Sequence, residues 1–591
     1  MKLFFSLLSV LVFLSCETKK KDKVANFQTP FEISQGQETA TYLEIIDFYL
    51  RLAKEFPEIN VQTIGNTDSG LPLHMVTFNL DGDFNFTKIG KEKTIVLINN
   101  GIHPGESDGI DATMILFRDL AIGQLAPPKN TVLVTIPVYN VGGALNRNAT
   151  TRTNQNGPRS YGFRGNARNF DLNRDFIKSD TENAKTFAKI FHLVKPDIFV
   201  DTHVSNGADY QYTLTHLFTQ HNKLGGRLGE YLENEMRPEL ETALKVSGRD
   251  ITPYVNVFHT VPEMGFSQFL DSPRYSSGYT ALWNTLGMMV ETHMLKPYKK
   301  RVEGTYQLLH QMVEIAETDG TKIKLLRKQA FDDFSGKKYY PINWAVDTTK
   351  ADTLNFKGFE VDTLTSAVTG LPRIKYDENR PFTKSVIYRN SFIALDSIEI
   401  PKAYVIKRPW TQVMERLDIN QIIYRTLSKD TVIRVQSYKI GDYQTGKQSF
   451  EGHYPHHGTK VTKSVTDITF SQGDIFIPTN QPGLRYLLET LEPAATDSFF
   501  NWNFFDTVLQ RKEGFSPYVF EDMAAEMLKN DARLRETFQF KKATDKQFAE
   551  NSYAQLEWLY SKSDHSEPTY LQYPVYRIAK DSIVSLTNDS P

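Results

Sequence analysis

The chain has one cysteine among its 591 residues, Cys16, so it forms no internal disulfide and no thiolate-held zinc site. Any metal must then be ligated by histidine and carboxylate. Neither charge is in excess: 68 Lys and Arg stand against 70 Asp and Glu, a formal net charge of −2. Binding a nucleic-acid backbone draws on clustered cations, so this balance argues against nucleic-acid partners. Past residue 14 no apolar run reaches the roughly 18 residues that mark a membrane helix. Internal repeats and low-complexity tracts are absent. What is present is a sequence 40% hydrophobic and 12% aromatic, long enough for roughly three or four domains and for a core without covalent staples.

The lone cysteine closes the segment MKLFFSLLSVLVFLSC, in which Lys2 is the positive start, Leu3 to Leu14 the apolar run and Ser15 a small residue. Twelve apolar residues fall short of the about 20 needed to span a bilayer core. The segment (1–16) reads as a secretory signal whose cleavage leaves Cys16 as a lipidated N-terminus, so that the protein is exported and held to a membrane through that lipid. Phe13 departs from the leucine usual three residues before such a cysteine, and an unlipidated signal peptide is the alternative. Residues 17–38, with Lys19 to Lys21 in a row, read as a polar tether.

From residue 39 the pattern changes. Tyr42, Ile45, Ile46, Tyr49, Ala53 and Phe56 recur at helical spacing, and Pro57 stops the run. TIVLINNG (Thr94 to Gly101) and TVLVTIPVYN (Thr131 to Asn140) are near-continuous apolar runs separated by a predicted helix, Gly109 to Leu120. Runs of this kind suit strands buried on both faces, and the alternation implies an α/β sheet with parallel strands. DIFVDTH (Asp197 to His203) and LGMMVETH (Leu286 to His293) extend the pattern. In open α/β sheets, ligand sites gather past the carboxyl ends of the strands. Periodicity weakens from about Ala316, so a catalytic domain is expected over 39–320 and a linker over 321–352. Beyond it, 353–591 is expected to be a β-rich or mixed domain, returning to helical spacing over Asp522 to Leu534 and Gln547 to Leu559.

Chemistry-bearing residues follow the first-half runs. His103 and Glu106, in HPGE, lie three residues apart directly after the first run, close enough to chelate one ion, and His203 follows DIFVD. Two histidines and one carboxylate are the ligand set of a catalytic zinc that leaves a fourth position for water. Between these ligands lies RGNARNFDLNRDF (Arg164 to Phe176), and VETH (Val290 to His293) ends a late run. H-x-x-E, D-L-N-R, a later ligand histidine and a late glutamate, in this order, resemble the zinc carboxypeptidases of the carboxypeptidase A type; the resemblance covers about half the chain.

That resemblance implies a mixed, mostly parallel sheet flanked by helices, one zinc ion, and a peptide substrate with a free C-terminus. It makes His103, Glu106 and His203 the zinc ligands, Asp171 the carboxylate that orients a ligand imidazole, and Glu291 the general base. Asn173 and Arg174 take the substrate's terminal carboxylate, whose planar geometry matches a guanidinium. Arg164 polarises the scissile carbonyl, with Arg152 a competitor, and Tyr275 closes over the substrate, with Tyr279 the alternative. Ala281 or Leu282 is expected to line the terminal side-chain pocket. His453, His456 and His457 could form a second metal site, though turn histidines are more often solvated, and Phe499 to Phe505 reads as core. Two further readings stay open: an amidase or deacylase acting on cell-wall peptides or acylated amino acids, and a non-catalytic surface protein that binds peptide or glycan.

Overall fold

The structure, a computed structural model, describes residues 26–580. The signal segment and Cys16 lie outside the described residues. The first half supplies nine strands: Ile59–Asn66 (β1), Pro72–Phe78 (β2), Thr94–Asn99 (β3), Thr131–Ile136 (β4), Ile198–Ser205 (β5), Leu214–Phe218 (β6), Ile251–Pro253 (β7), Phe266–Ser267 (β8) and Leu286–His293 (β9). All but β8 form one sheet in the order β1-β2-β4-β3-β5-β9-β6-β7. Its centre, β4-β3-β5-β9, is parallel throughout. The β1–β2, β2–β4 and β9–β6 pairs are antiparallel, which makes the sheet mixed.

Every residue of β3, β4 and β5 is buried, as uninterrupted apolar runs require. Helices cover the faces. Helix Tyr42–Glu55 starts at a capping box in which Thr41 and Glu44 satisfy each other's backbone N–H. Helix Asp108–Ala121 follows β3 and presses close to β5: a Cβ on Gly109 would lie 2.1 Å from the Thr202 hydroxyl, so only glycine fits. That approach sets the loop carrying His103 and Glu106 against β5.

Two stretches depart from the sequence reading. Part of the expected tether is docked: Phe27 and Phe31 are buried, and the Glu32 carboxylate accepts a 2.6 Å bond from Arg118. The expected linker is built structure. Helix Tyr298–Gly336 runs 39 residues without a break, and Tyr339–Val346 (β10) follows almost at once.

The remaining chain is β-rich, as expected. Asp352–Thr365 (β11) and Pro372–Arg389 (β12) form a long hairpin, and the end of β12 runs parallel to β8. Strand Phe392–Glu399 (β13) pairs with β10. Ala403–Ile406 (β14), Arg425–Thr426 (β15), Thr431–Thr445 (β16), His456–Phe470 (β17), Ile475–Pro478 (β18) and Val575–Ile578 (β19) make a second sheet in the order β15-β18-β14-β19-β16-β17. Helices Pro517–Asn530, Ala532–Thr544 and Ser552–Tyr560 close around Phe520, Phe538 and Phe548. Tyr404, Leu487 and Phe499 belong to the same continuous core as Ile95 and Val200, so both halves share buried apolar surface. Phe499, Phe500, Trp502 and Phe505 are buried, as the sequence suggested. Among the described residues no helix is long and apolar enough to cross a membrane.

Candidate active site

The loop after β3 and the strand β5 bring His103, Glu106 and His203 together at the carboxyl edge of the sheet, and one ligand atom from each lies within 4.8 Å of the others. All three are 3% exposed. His103 Nδ1 is 3.3 Å from Glu106 Oε1, and His203 Nδ1 is 3.1 Å from Glu106 Oε2. Each imidazole turns its other nitrogen to a carboxylate: His103 Nε2 is 3.0 Å from Asp171 Oδ1, and His203 Nε2 is 3.0 Å from Asp201 Oδ2. Carboxylates in that position fix the ring and its tautomer and make the inward nitrogen a better donor. Among the described residues no other cluster of His, Asp and Glu is placed to hold an ion. His453, His456 and His457 go to separate partners, Asp180, Asp506 and Gln444.

Asp201 was not expected. It sits two residues before His203, and the period-two alternation of a strand puts both on one face. It is fully buried and accepts from Asn99 Nδ2 at 3.3 Å and from the Ser276 hydroxyl.

Glu291 lies on β9 opposite His203 in the β5–β9 ladder. The neighbouring His293 is engaged elsewhere: its Nε2 is 2.8 Å from Asp209 and its ring stacks on Tyr210. Burial, reinforced by the Glu106 and Asp201 carboxylates, pushes the Glu291 carboxyl up to about 7, against the pull of His203 and Arg164. Burial also opposes ionisation of Asp171. His103, Arg164 and Arg174 outweigh it and hold that carboxyl well below the usual range.

A cavity of about 270 Å³ opens over these groups. His103, Glu106, Arg164, Asn173, Arg174, His203, Tyr275 and Glu291 all line it. Arg164 is anchored by Asp171, with Nη2 2.8 Å from Oδ2, yet remains 45% exposed. Arg152 is instead bonded to Glu106 at 2.8 Å, is 14% exposed and is not among the residues lining the cavity. Asp171 caps the short 3₁₀ turn Leu172–Arg174, so D-L-N-R is a single rigid bend. The Asn173 side chain accepts from Ser276 N–H at 3.3 Å, and the Arg174 guanidinium lies 4.6 Å from the Tyr275 ring centroid. Tyr279 is a core residue, with its hydroxyl bonded to Asn420 at 2.6 Å.

Ala281 and Leu282 do not line the cavity. Both are fully buried behind it, in and just after the helix Ser276–Ala281, whose last carbonyl takes a bond from Arg485. The apolar lining comes from Val204 on β5, Leu217 on β6, Met289 on β9, Tyr254, Phe258 and Phe269. Sequence reasoning gave no handle on the last three, which lie on connecting segments whose only signal is composition.

No family model matches the chain. It is similar to the fungal proteins "Carboxypeptidase 2" of Trichophyton rubrum, 21% identical over 429 residues (69% of this chain, 73% of that protein), and of Trichophyton equinum, 21% identical over 434 residues (70% and 74%). Among solved structures it is similar to a metallo-carboxypeptidase from Burkholderia cenocepacia, at a TM-score of 0.34 and 17% identity, covering 46% of this chain and 68% of that one. A carboxypeptidase A from Helicoverpa armigera gives a TM-score of 0.36 at 15% identity, over 47% and 74%. By sequence the chain thus resembles proteins named carboxypeptidases, as its motifs suggested.

Proposed function

We propose that this protein is a metal-dependent carboxypeptidase, which hydrolyses the last peptide bond of a chain and releases its C-terminal residue. The observation that carries this reading is the convergence, on one cavity, of a carboxylate-backed His-Glu-His triplet, the raised carboxyl of Glu291 and the guanidinium of Arg174.

His103, Glu106 and His203 would hold one zinc ion. The donor set fits, since two imidazoles whose outer nitrogens each face a carboxylate, together with one carboxylate, are a hydrolytic zinc's usual complement. When bound, the ion would polarise the scissile carbonyl and acidify a water. Arg174 and Asn173 hold the substrate's terminal carboxylate, and this selects a chain end over an internal bond. Arg164, held at the cavity by Asp171, stabilises the charge that develops on the carbonyl oxygen. Glu291 takes a proton from the attacking water and delivers it to the leaving amine; a carboxyl near 7 suits both tasks at neutral pH. Tyr275, with the Arg174 guanidinium over its ring and Phe269 edge-on to it, covers the terminal residue. Leu217, Met289 and Phe269 favour an apolar terminal side chain. Faster release of Lys or Arg than of Phe or Leu would count against that preference.

Metal analysis of the purified protein, coupled to mass spectrometry of a digested peptide mixture, tests the reading. It expects about one zinc per chain and ladders shortened from the C-terminus. A metal-free active protein, or ladders shortened from the N-terminus, would refute it. We also propose, from the N-terminal sequence alone, export and lipid attachment at Cys16; the mass of the mature N-terminal peptide tests this.

A further inference from the structure

The bend that carries Asn173 and Arg174 is gripped by residues far along the chain. Asp171 donates its backbone N–H to the Glu451 carboxylate at 2.8 Å, across 280 residues of sequence. A Cβ on the adjacent Gly452 would lie 3.1 Å from the Phe170 ring, so backbone and aromatic are in close contact there. His453 Nε2 is 2.7 Å from Asp180 Oδ2, and the same oxygen binds Lys178 at 2.8 Å. Arg416 donates to the carbonyls of Lys178 and Ser179 at 3.0 and 3.2 Å. The other side of the clamp is held likewise, because Arg274, next to Tyr275, pairs with Asp497 at 2.7 Å.

Glu451 has a left-handed backbone, φ 49°, a conformation that glycine adopts freely and a side-chain-bearing residue does not. Such a conformation in a non-glycine residue directs attention to what its side chain does. Here the side chain reaches the one residue, Asp171, that accepts from His103, Arg164 and the Asn173 N–H together.

We propose that the turn 450–454 of the C-terminal region is the outer wall of the active site, and that Glu451 is a positioning residue. It fixes Asp171 and, through it, the Arg174 bend that receives the substrate carboxylate. The C-terminal region thereby acquires a task, completing substrate recognition. This rests on the carboxypeptidase reading, and its test separates the two.

The full-length variants Glu451→Gly and Glu451→Gln are compared with wild type on an N-acylated dipeptide with a free carboxylate. Glycine keeps the left-handed turn but deletes the acceptor, whereas glutamine keeps an acceptor. Loss of one charge-assisted hydrogen bond predicts a KM about tenfold higher for Glu451→Gly. Its kcat is expected to stay within about threefold, with unchanged thermal unfolding, and Glu451→Gln to restore KM to within about threefold of wild type. Amide hydrogen exchange over 170–176 should be faster in Glu451→Gly and close to wild type in Glu451→Gln. Wild-type KM and exchange in Glu451→Gly overturn the inference, as does a parallel fall in kcat and melting temperature with no KM effect. A wild type that releases no terminal residue overturns the carboxypeptidase reading, and the exchange data then decide the positioning role by themselves.

Discussion

Asp201→Asn isolates what the buried carboxylate behind His203 contributes. Asp201 has no exposed surface and serves three donors at once: His203 Nε2 at 3.0 Å, Asn99 Nδ2 at 3.3 Å and the Ser276 hydroxyl. An asparagine has one acceptor oxygen and one NH₂. If the oxygen takes the place of Oδ2, it keeps His203 and Ser276 and the NH₂ opposes the donor of Asn99; if it is turned, His203 and Ser276 both lose their acceptor. Either way one charge-assisted bond worth about 1.5 to 3 kcal/mol is lost at a fully buried carboxylate. That corresponds to roughly 10- to 100-fold weaker zinc binding, the usual penalty for removing such a partner. Asp171, 14% exposed and open to solvent, can be replaced more gently, so Asp171→Asn should weaken zinc binding by less than about tenfold. Competitive titration of zinc against a chromophoric chelator, on variants shown to be folded by circular dichroism, measures both. An Asp201→Asn protein that binds zinc within about threefold of wild type, or a larger loss in Asp171→Asn, would refute the reasoning.

Glu291→Gln should lower kcat by about 10² to 10⁴ with zinc content unchanged, read by steady-state kinetics and metal analysis of one preparation. Normal turnover in a zinc-loaded variant would remove Glu291 from the proton path. Arg174→Ala should raise KM for a free-carboxylate peptide by about tenfold or more, since it removes a guanidinium–carboxylate pair, and an unchanged KM would place the chain end elsewhere. Asp111 bears on stability. Burial pushes its carboxyl up to about 7 from 3.8, against the bond that the Tyr298 hydroxyl donates to it. The folded protein therefore keeps a proton that the unfolded chain has released, so the contribution is fully present below about pH 4 and fades as pH rises through 7. Urea unfolding should show wild type losing up to about 4 kcal/mol relative to Asp111→Asn across that window, and parallel pH profiles would contradict the assignment.

The runs that became β3, β4, β5 and β9 were legible because strands buried on both faces leave uninterrupted apolar sequence. The groups at their ends were legible because strand ends are where such sheets place ligands. The second half of helix Tyr298–Gly336 was misread for an identifiable reason. Its buried stripe, Gly320, Ile323, Leu326, Ala330 and Phe334, does have helical spacing, but it opens on a glycine amid polar residues. Gly320 is there because a Cβ would lie 1.9 Å from the Thr94 hydroxyl at the start of β3, so close packing, not chain reversal, selects it. Tyr254 and Phe269 were illegible because only the closed fold brings their segments to the cavity, and Glu451 because no local pattern encodes a contact across 280 residues.

Two synthetic peptides of one sequence ending in Phe, one with a free C-terminal carboxylate and one amidated, decide most directly whether this site is a carboxypeptidase's. Mass spectrometry of their digestion by the wild-type protein should show loss of the single terminal residue from the free acid. The amide should react at least about 100-fold more slowly, because Arg174 has no carboxylate to hold. Chelation should abolish the reaction and added zinc restore it. Equal cleavage of the two peptides, cutting within the chain, or full activity after chelation would contradict it.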